Sequence, residues 1–216
     1  MELRNKIVNF LGDSITEGVG ADNKDKCYVS VLERDYGLKK ANNYGKSGTR
    51  IAKQNEIFWC EDFNDDFISR ADNMDKNADI IVVFGGTNDF GHGSAPMGDF
   101  ESRDPYTFYG AMHTLILKLL ENYENSRIVF CTPIHREYEE VSAEVSKKNC
   151  PLKKYVEIIK EVCEFYGVPI IDLWKVSGIQ PRVPFIKNRL CPDGLHPNNR
   201  GHKILADCIA AGLKAL

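Results

Sequence analysis

Two kinds of segment alternate along the chain when its apolar positions are read by spacing. Short runs dense in Val, Ile and Phe recur at Ile7 to Leu11, Ile80 to Phe84, Ile128 to Cys131 and Val168 to Leu173. They are too short and too β-branched for helices, and near-continuous apolarity suits strands covered on both faces. Lys40 to Tyr44 is a further strand candidate of greater polarity. Helical spacing fills the intervals. Tyr28, Val31, Leu32 and Tyr36 share a face that ends at Gly37, and Phe108, Met112, Leu115, Ile116 and Leu119 share another. Pro151 opens a third helix with Tyr155, Ile158, Ile159, Val162 and Phe165 on one side and Gly167 as its stop. A last helix begins after Pro197 and buries Ile204, Leu205, Cys208, Ile209 and Leu213. Strands alternating with helices predict an α/β fold: a three-layer α/β/α sandwich around a mainly parallel, doubly wound sheet. With no repeat, low-complexity tract or Pro/Gly/Ser linker, a single domain is expected over residues 1–216.

Open parallel sheets bind ligands outside the carboxyl ends of their strands. Three predicted strand ends carry small and polar residues: Gly12-Asp13-Ser14-Ile15-Thr16, Gly45-Lys46-Ser47-Gly48 and Gly85-Gly86-Thr87-Asn88-Asp89. Asp193-Gly194-Leu195-His196-Pro197 precedes the last helix. A serine hydroxyl is a poor nucleophile until a base takes its proton, and the base must be held in the right tautomer by a carboxylate. Ser14, His196 and Asp193 can fill those roles, because a tight turn through Gly194 brings the carboxylate to Nδ1 and leaves Nε2 for the serine. Acyl transfer also needs donors aimed at the developing oxyanion. The backbone N–H groups of Ser14 and Gly48 and the side-chain amide of Asn88 can supply three.

These four blocks, in this order, resemble those of the SGNH hydrolases, the GDSL-type esterases and lipases, and the resemblance spans Gly12 to His196. It implies a flavodoxin-like sandwich, a nucleophile at Ser14, oxyanion donors at Ser14, Gly48 and Asn88, and the remaining triad members at Asp193 and His196. The first block reads Gly-Asp-Ser-Ile rather than Gly-Asp-Ser-Leu, a departure that leaves the serine untouched. The resemblance implies no cofactor and no metal. It implies a carboxylic ester hydrolase whose substrates are esters and sometimes thioesters.

Individual residues carry a second, structural reading. Ser14 followed three residues later by Glu17 mimics a helix capping box. Gly48 suits a turn with positive φ, and Asn88 suits an Asx turn. Asp13 and Asp89 are expected to brace backbone and His92 to be a solvated loop histidine, and His113, His135 and His202 are assigned no role. The acidic run Glu61 to Asp66 and the pair Lys147 and Lys148 read as solvated surface, and Phe58 and Trp59 as core in preference to pocket wall.

Competing folds fail on their motifs. Gly45-Lys46-Ser47 has Lys40 where a phosphate-binding loop needs its first glycine, and Gly18-Val19-Gly20 has Asn23 in place of a third Rossmann glycine. No serine sits in a G-x-S-x-G elbow, and no His and carboxylate cluster has metal-ligand spacing. Composition narrows the partners. With 28 Lys+Arg against 31 Asp+Glu the chain carries a formal charge of −3, which argues against nucleic acid and anionic membranes as partners. Seven cysteines without a C-x-x-C pair read as reduced thiols, which, with no signal-like or spanning apolar segment, points to a cytoplasmic protein. The expected partner is a small-molecule ester. The polar segments Gly91 to Pro105 and Ile134 to Cys150, with His92, Arg103, His135 and Arg136, favour a small polar ester such as an acetylated carbohydrate. A short-chain lipid ester or thioester is the alternative, as is a non-catalytic carbohydrate-binding protein of the same fold.

Overall fold

A computed structural model describes residues 1–56, 65–140 and 150–216. Phe58, Trp59, the first four residues of the acidic run (Glu61 to Asn64), Lys147 and Lys148 lie outside the described residues.

Five strands form one sheet: β1 (Ile7–Gly12), β2 (Lys40–Gly45), β3 (Ile80–Phe84), β4 (Arg127–Cys131) and β5 (Ile170–Ile171). Their order is β2-β1-β3-β4-β5 and every pairing is parallel. This is the doubly wound order of flavodoxin-like folds. The central strands alternate between two cores. Ile81, Val83, Ile128 and Phe130 pack under α5 (Phe108–Asn122) and α6 (Leu152–Phe165). Ile80, Val82, Phe84, Val129 and Cys131 pack under α2 (Tyr28–Tyr36) and α9 (Asn199–Ala215). Both faces are therefore dry, which is why these strands read as unbroken apolar runs rather than alternating ones. Each fully buried Val, Ile or Phe contributes about 1.5 to 3 kcal/mol of transfer free energy.

Four of the five expected strands match within a residue or two. The exception is Val168 to Leu173, of which only Ile170 and Ile171 pair with β4. Pro169 has no N–H for the ladder, although its carbonyl accepts from Phe130 at 3.0 Å, and Leu173 already begins α7 (Leu173–Val176). The polarity of β2 follows from its position at the sheet edge, where its residues are exposed or half-buried. One buried polar residue interrupts the apolar pattern of β1. Asn9 donates to the Asp75 carbonyl at 2.9 Å and accepts from the Asn42 amide at 2.9 Å, so its burial leaves little unsatisfied.

The helices expected from spacing form as α2, α5, α6 and α9, with Gly37 left-handed at φ 70° after α2. Short helices escaped the spacing: α3 (Phe67–Arg70), α7 and α8 (Pro184–Leu190) are too brief to display a period. Asp66, expected on solvated surface, is buried instead. Its carboxylate caps α3, accepting from the Ser69 N–H at 2.8 Å. No helix among the described residues is long and apolar enough to cross a membrane.

At the β1 terminus, Asp13 caps the four-residue helix α1 (Ser14–Glu17) by accepting from the Ile15 N–H at 3.0 Å. Burial pushes its carboxyl up from 3.8 to about 7, against the pull of the Ile15 N–H and of Arg70 and Arg136. Between those values the native state holds a proton that the unfolded chain has released. The stability from this group is therefore full below about pH 4 and is lost as pH rises through 7. His92 and His202, pushed down to about 4 chiefly by burial, act with the opposite sign over pH 4 to 6.5. Asp13→Asn keeps the capping oxygen and removes the titration. In urea unfolding from pH 4 to 8, the stability of the wild type minus that of Asp13→Asn should fall with pH; a flat or rising difference would contradict the burial of an Asp13 proton.

Candidate active site

The site is assembled at the level where β1, β2 and β3 end. Gly12 is in register with Gly45 on one side and Phe84 on the other, so the three chains leave the sheet side by side. The approach of β2 to α1 is close: a Cβ on Gly45 would lie 2.1 Å from the backbone nitrogen of Glu17. Only glycine fits there. Arg70 gathers the same ends from below, donating to the carbonyls of Gly12 and Tyr44 and to Thr49 Oγ1. No sequence pattern marks Arg70, since its partners are 21 to 58 residues away.

The capping-box reading of Ser14 does not hold. Asp13 is the cap and Ser14 is the first helical residue, while Glu17 turns outward to accept from the Ser47 N–H at 2.7 Å. The Ser14 hydroxyl is thereby released from the helix terminus. Its Oγ lies 3.0 Å from Nε2 of His196, and Nδ1 of His196 lies 2.6 Å from Oδ2 of Asp193. The other carboxylate oxygen of Asp193 accepts from the N–H groups of Leu195 and His196 at 2.8 and 2.7 Å. Partial burial works against the charge on Asp193. The two N–H bonds and the His196 imidazole outweigh it and hold the carboxyl below its usual value. An ionised Asp193 keeps the proton of a neutral His196 on Nδ1 and leaves a lone pair on Nε2 facing Ser14. The three side chains picked out from the sequence thus lie within hydrogen-bond reach of one another.

Gly48 has φ 74°, as a turn glycine requires, and the N–H groups of Gly48 and Ser14 donate to no described residue. Asn88 stands on α4 (Thr87–Gly91), which starts from the β3 end, and is 6% exposed. Its side-chain amide donates to the Thr49 carbonyl at 3.0 Å, one residue beyond Gly48. That bond orients the amide and uses one of its two hydrogens.

Of the flanking residues, Asp89 braces backbone as expected, accepting from the Ile51 and Ala52 N–H groups at 2.9 Å each. His92 is not a solvated loop histidine. Its Nδ1 is 2.9 Å from the Arg50 guanidinium, and burial with the charges of Arg50 and Arg136 pushes its pKa down to about 4. His113 is buried between Tyr166 and the Phe100 carbonyl, and His135 pairs with Glu139 at 2.9 Å beside the Trp174 ring. The loop after β4 also supports the site, a role that its sequence did not announce. Glu137 donates its N–H to the Gly194 carbonyl at 2.8 Å and its carboxylate holds Lys187 of α8. The segment between His92 and α5 is anchored by Met97 and Phe100, which pack against the core beneath α5 and α6. Among the described residues no group of three or more His, Cys, Asp or Glu side chains could hold a metal ion.

Known proteins resemble this chain in sequence and in fold. Over 96% of its length the chain is 25% identical to the acetylxylan esterase of Xylanibacter ruminicola, and it spans only 43% of that protein. A crystal structure of a protein from Lactobacillus plantarum is 30% identical and superposes with a TM-score of 0.85 over 98% of each chain. The crystal structure of the acetyl xylan esterase AlAXEase, 24% identical, superposes with a TM-score of 0.60 over 95% of this chain and 98% of its own, a likeness of fold. The family model for GDSL-like lipases and acylhydrolases matches residues 10–204, a stretch that contains all five residues at the strand ends and the His196 turn. By that match, and with the fold to go with it, the chain belongs to the GDSL-like lipase/acylhydrolase family.

Proposed function

We propose that this protein is a serine esterase that cleaves carboxylic esters through an acyl-enzyme on Ser14. The observation that carries the reading is the hydrogen-bonded relay from Ser14 Oγ to His196 Nε2 at 3.0 Å and from His196 Nδ1 to Asp193 at 2.6 Å. In the first half-reaction His196 takes the Ser14 proton as Oγ attacks the ester carbonyl. The oxyanion is held by the N–H groups of Ser14 and Gly48 and by the free hydrogen of the Asn88 amide. Protonated His196 then gives its proton to the departing alcohol, and Asp193 stabilises the imidazolium in between. Water, deprotonated by His196, resolves the acyl-enzyme by the same route and regenerates Ser14.

The substrate we propose is a small polar ester, with an acetylated carbohydrate as the leading class. The identity to an acetylxylan esterase supports it, as does the polarity of the chain around His92, Arg103, His135 and Arg136. A neutral ester needs no electrostatic steering, which agrees with a formal charge of −3. Neither nucleic acid nor a membrane has a place in this reading.

Ser14→Ala and His196→Ala should each stay folded and lose more than about 10,000-fold in kcat on p-nitrophenyl acetate. A fluorophosphonate should label wild type and leave Ser14→Ala unlabelled. Near wild-type turnover by Ser14→Ala would remove the assignment. Asn88→Ala should lower kcat by about 100 to 1,000-fold with a much smaller change in KM. If KM rises instead while kcat holds, Asn88 binds substrate without serving the oxyanion. For the substrate class, acetylated xylooligosaccharides and acetyl esters should outperform butyryl and octanoyl esters in kcat/KM. A rising profile with acyl length would replace the carbohydrate reading with a lipid one.

A further inference from the structure

The turn that follows α1 touches both members of the Ser14–His196 pair. On one side the N–H groups of Gly18 and Val19 donate to the Ser14 carbonyl at 3.0 and 2.9 Å. On the other, a Cβ on Gly20 would fall 2.4 Å from the Pro197 carbonyl oxygen and 3.0 Å from Cβ of His196. Gly20, at φ 92°, thus lies with its backbone against the loop that carries the imidazole. Residues 18–20 are a spacer between nucleophile and base, and whatever fixes the spacer fixes their separation.

One side chain grips it. His202, six residues beyond His196 in the second turn of α9, is fully buried, and its Nε2 lies 3.2 Å from the Val19 carbonyl oxygen. Its Nδ1 accepts from the Tyr28 N–H at 3.3 Å, and its ring stacks on that of Tyr28 with centroids 6.2 Å apart and planes 13° from parallel. A backbone N–H only donates and a carbonyl only accepts, so these two bonds admit a single form: neutral imidazole with its hydrogen on Nε2. Burial pushes the His202 pKa down to about 4, which keeps that form in place near neutrality. An apolar ring would fill the same volume without reaching the Val19 carbonyl. The bond that distinguishes histidine here is made to the carbonyl of the spacer itself.

We propose that His202 is a positioning residue of the esterase: its Nε2–H bond to Val19 holds the 18–20 turn and through it the 3.0 Å approach of Ser14 Oγ to His196 Nε2. The inference rests on Ser14 being the nucleophile. It adds that α9 sets both ends of the relay, through the loop at its start and through His202 within it.

Two substitutions separate positioning from simple filling of the core. Gln places its amide nitrogen where His Nε2 stands and keeps the donor to Val19. Asn carries its amide only as far as the Nδ1 level, so it keeps the acceptor for Tyr28 and loses the Val19 bond. With p-nitrophenyl acetate, His202→Asn should lose about tenfold or more in kcat and in the rate of fluorophosphonate labelling, with KM within about twofold. His202→Gln should recover both to within about threefold of wild type, and the thermal midpoints of the two variants should be close to one another. Wild-type labelling rates in His202→Asn, or equal losses in both variants, would overturn the inference while leaving the Ser14 nucleophile intact. A wild-type protein that is neither labelled nor hydrolytic would overturn the esterase reading and this inference with it.

Discussion

The site depends on one constraint, the parallel register that brings Gly12, Gly45 and Phe84 to the same height. A parallel sheet sends every chain out at the same edge, and β1, between β2 and β3, is the strand through which their ends are compared. The turn at Asp13 and Ser14, the turn at Gly48 and the helix bearing Asn88 all start from that edge. A one-residue slip of β1 would turn its apolar side chains to the wrong cores and carry Ser14 about 3.3 Å out of place. Packing and chemistry are thus held by the same hydrogen-bond ladder. The two dry cores that flank the sheet protect the register on which the relay depends.

The fourth component arrives differently. Asp193 and His196 belong to no strand, and the turn between them is made by its own side chain: one carboxylate oxygen of Asp193 takes two backbone N–H groups while the other takes the imidazole. That turn is then clamped from outside. The Glu137 N–H holds Gly194, Lys187 holds Glu137, and the turn after α1 lies against His196 and Pro197. A loop with this many anchors has little freedom to lose when substrate binds, which is what electrostatic preorganisation requires. The charges nearby are disposed to the same end. Burial favours a proton on Asp13, next to Ser14, whereas the donors around Asp193 favour its ionised form, so two carboxyl groups close to one relay are shifted in opposite directions for local reasons.

Legibility from the sequence followed length scale. Strands β1, β3 and β4 and helices α2, α5, α6 and α9 were plain because each displays more than one period of its pattern or an unbroken β-branched run. The residues we propose for the relay were legible because acyl transfer calls for a hydroxyl, an imidazole and a carboxylate, and the resemblance to a hydrolase family placed each in its block. Misreadings arose where a local motif had a long-range competitor. Ser14 and Glu17 have the spacing of a capping box, yet Asp13 takes the cap and Ser47 takes Glu17. His92 and Asp66 look like surface residues in a polar stretch, yet the first turn of α3 buries Asp66 and Arg50 holds His92 half-buried.

By itself, then, the sequence determined the α/β class and the number of layers, which follow from periodicity, and it supplied the groups we propose for acyl transfer, which follow from intrinsic side-chain chemistry. Tertiary structure alone decided which polar groups would be spent as braces and which left available for chemistry. Arg70, Glu137 and His202 became supports, and Ser14 Oγ faced an imidazole rather than a helix terminus, because their partners lie 21 to 183 residues away. Hydrogen bonding is short-ranged in space and indifferent to distance along the chain, so only the folded arrangement could make that division.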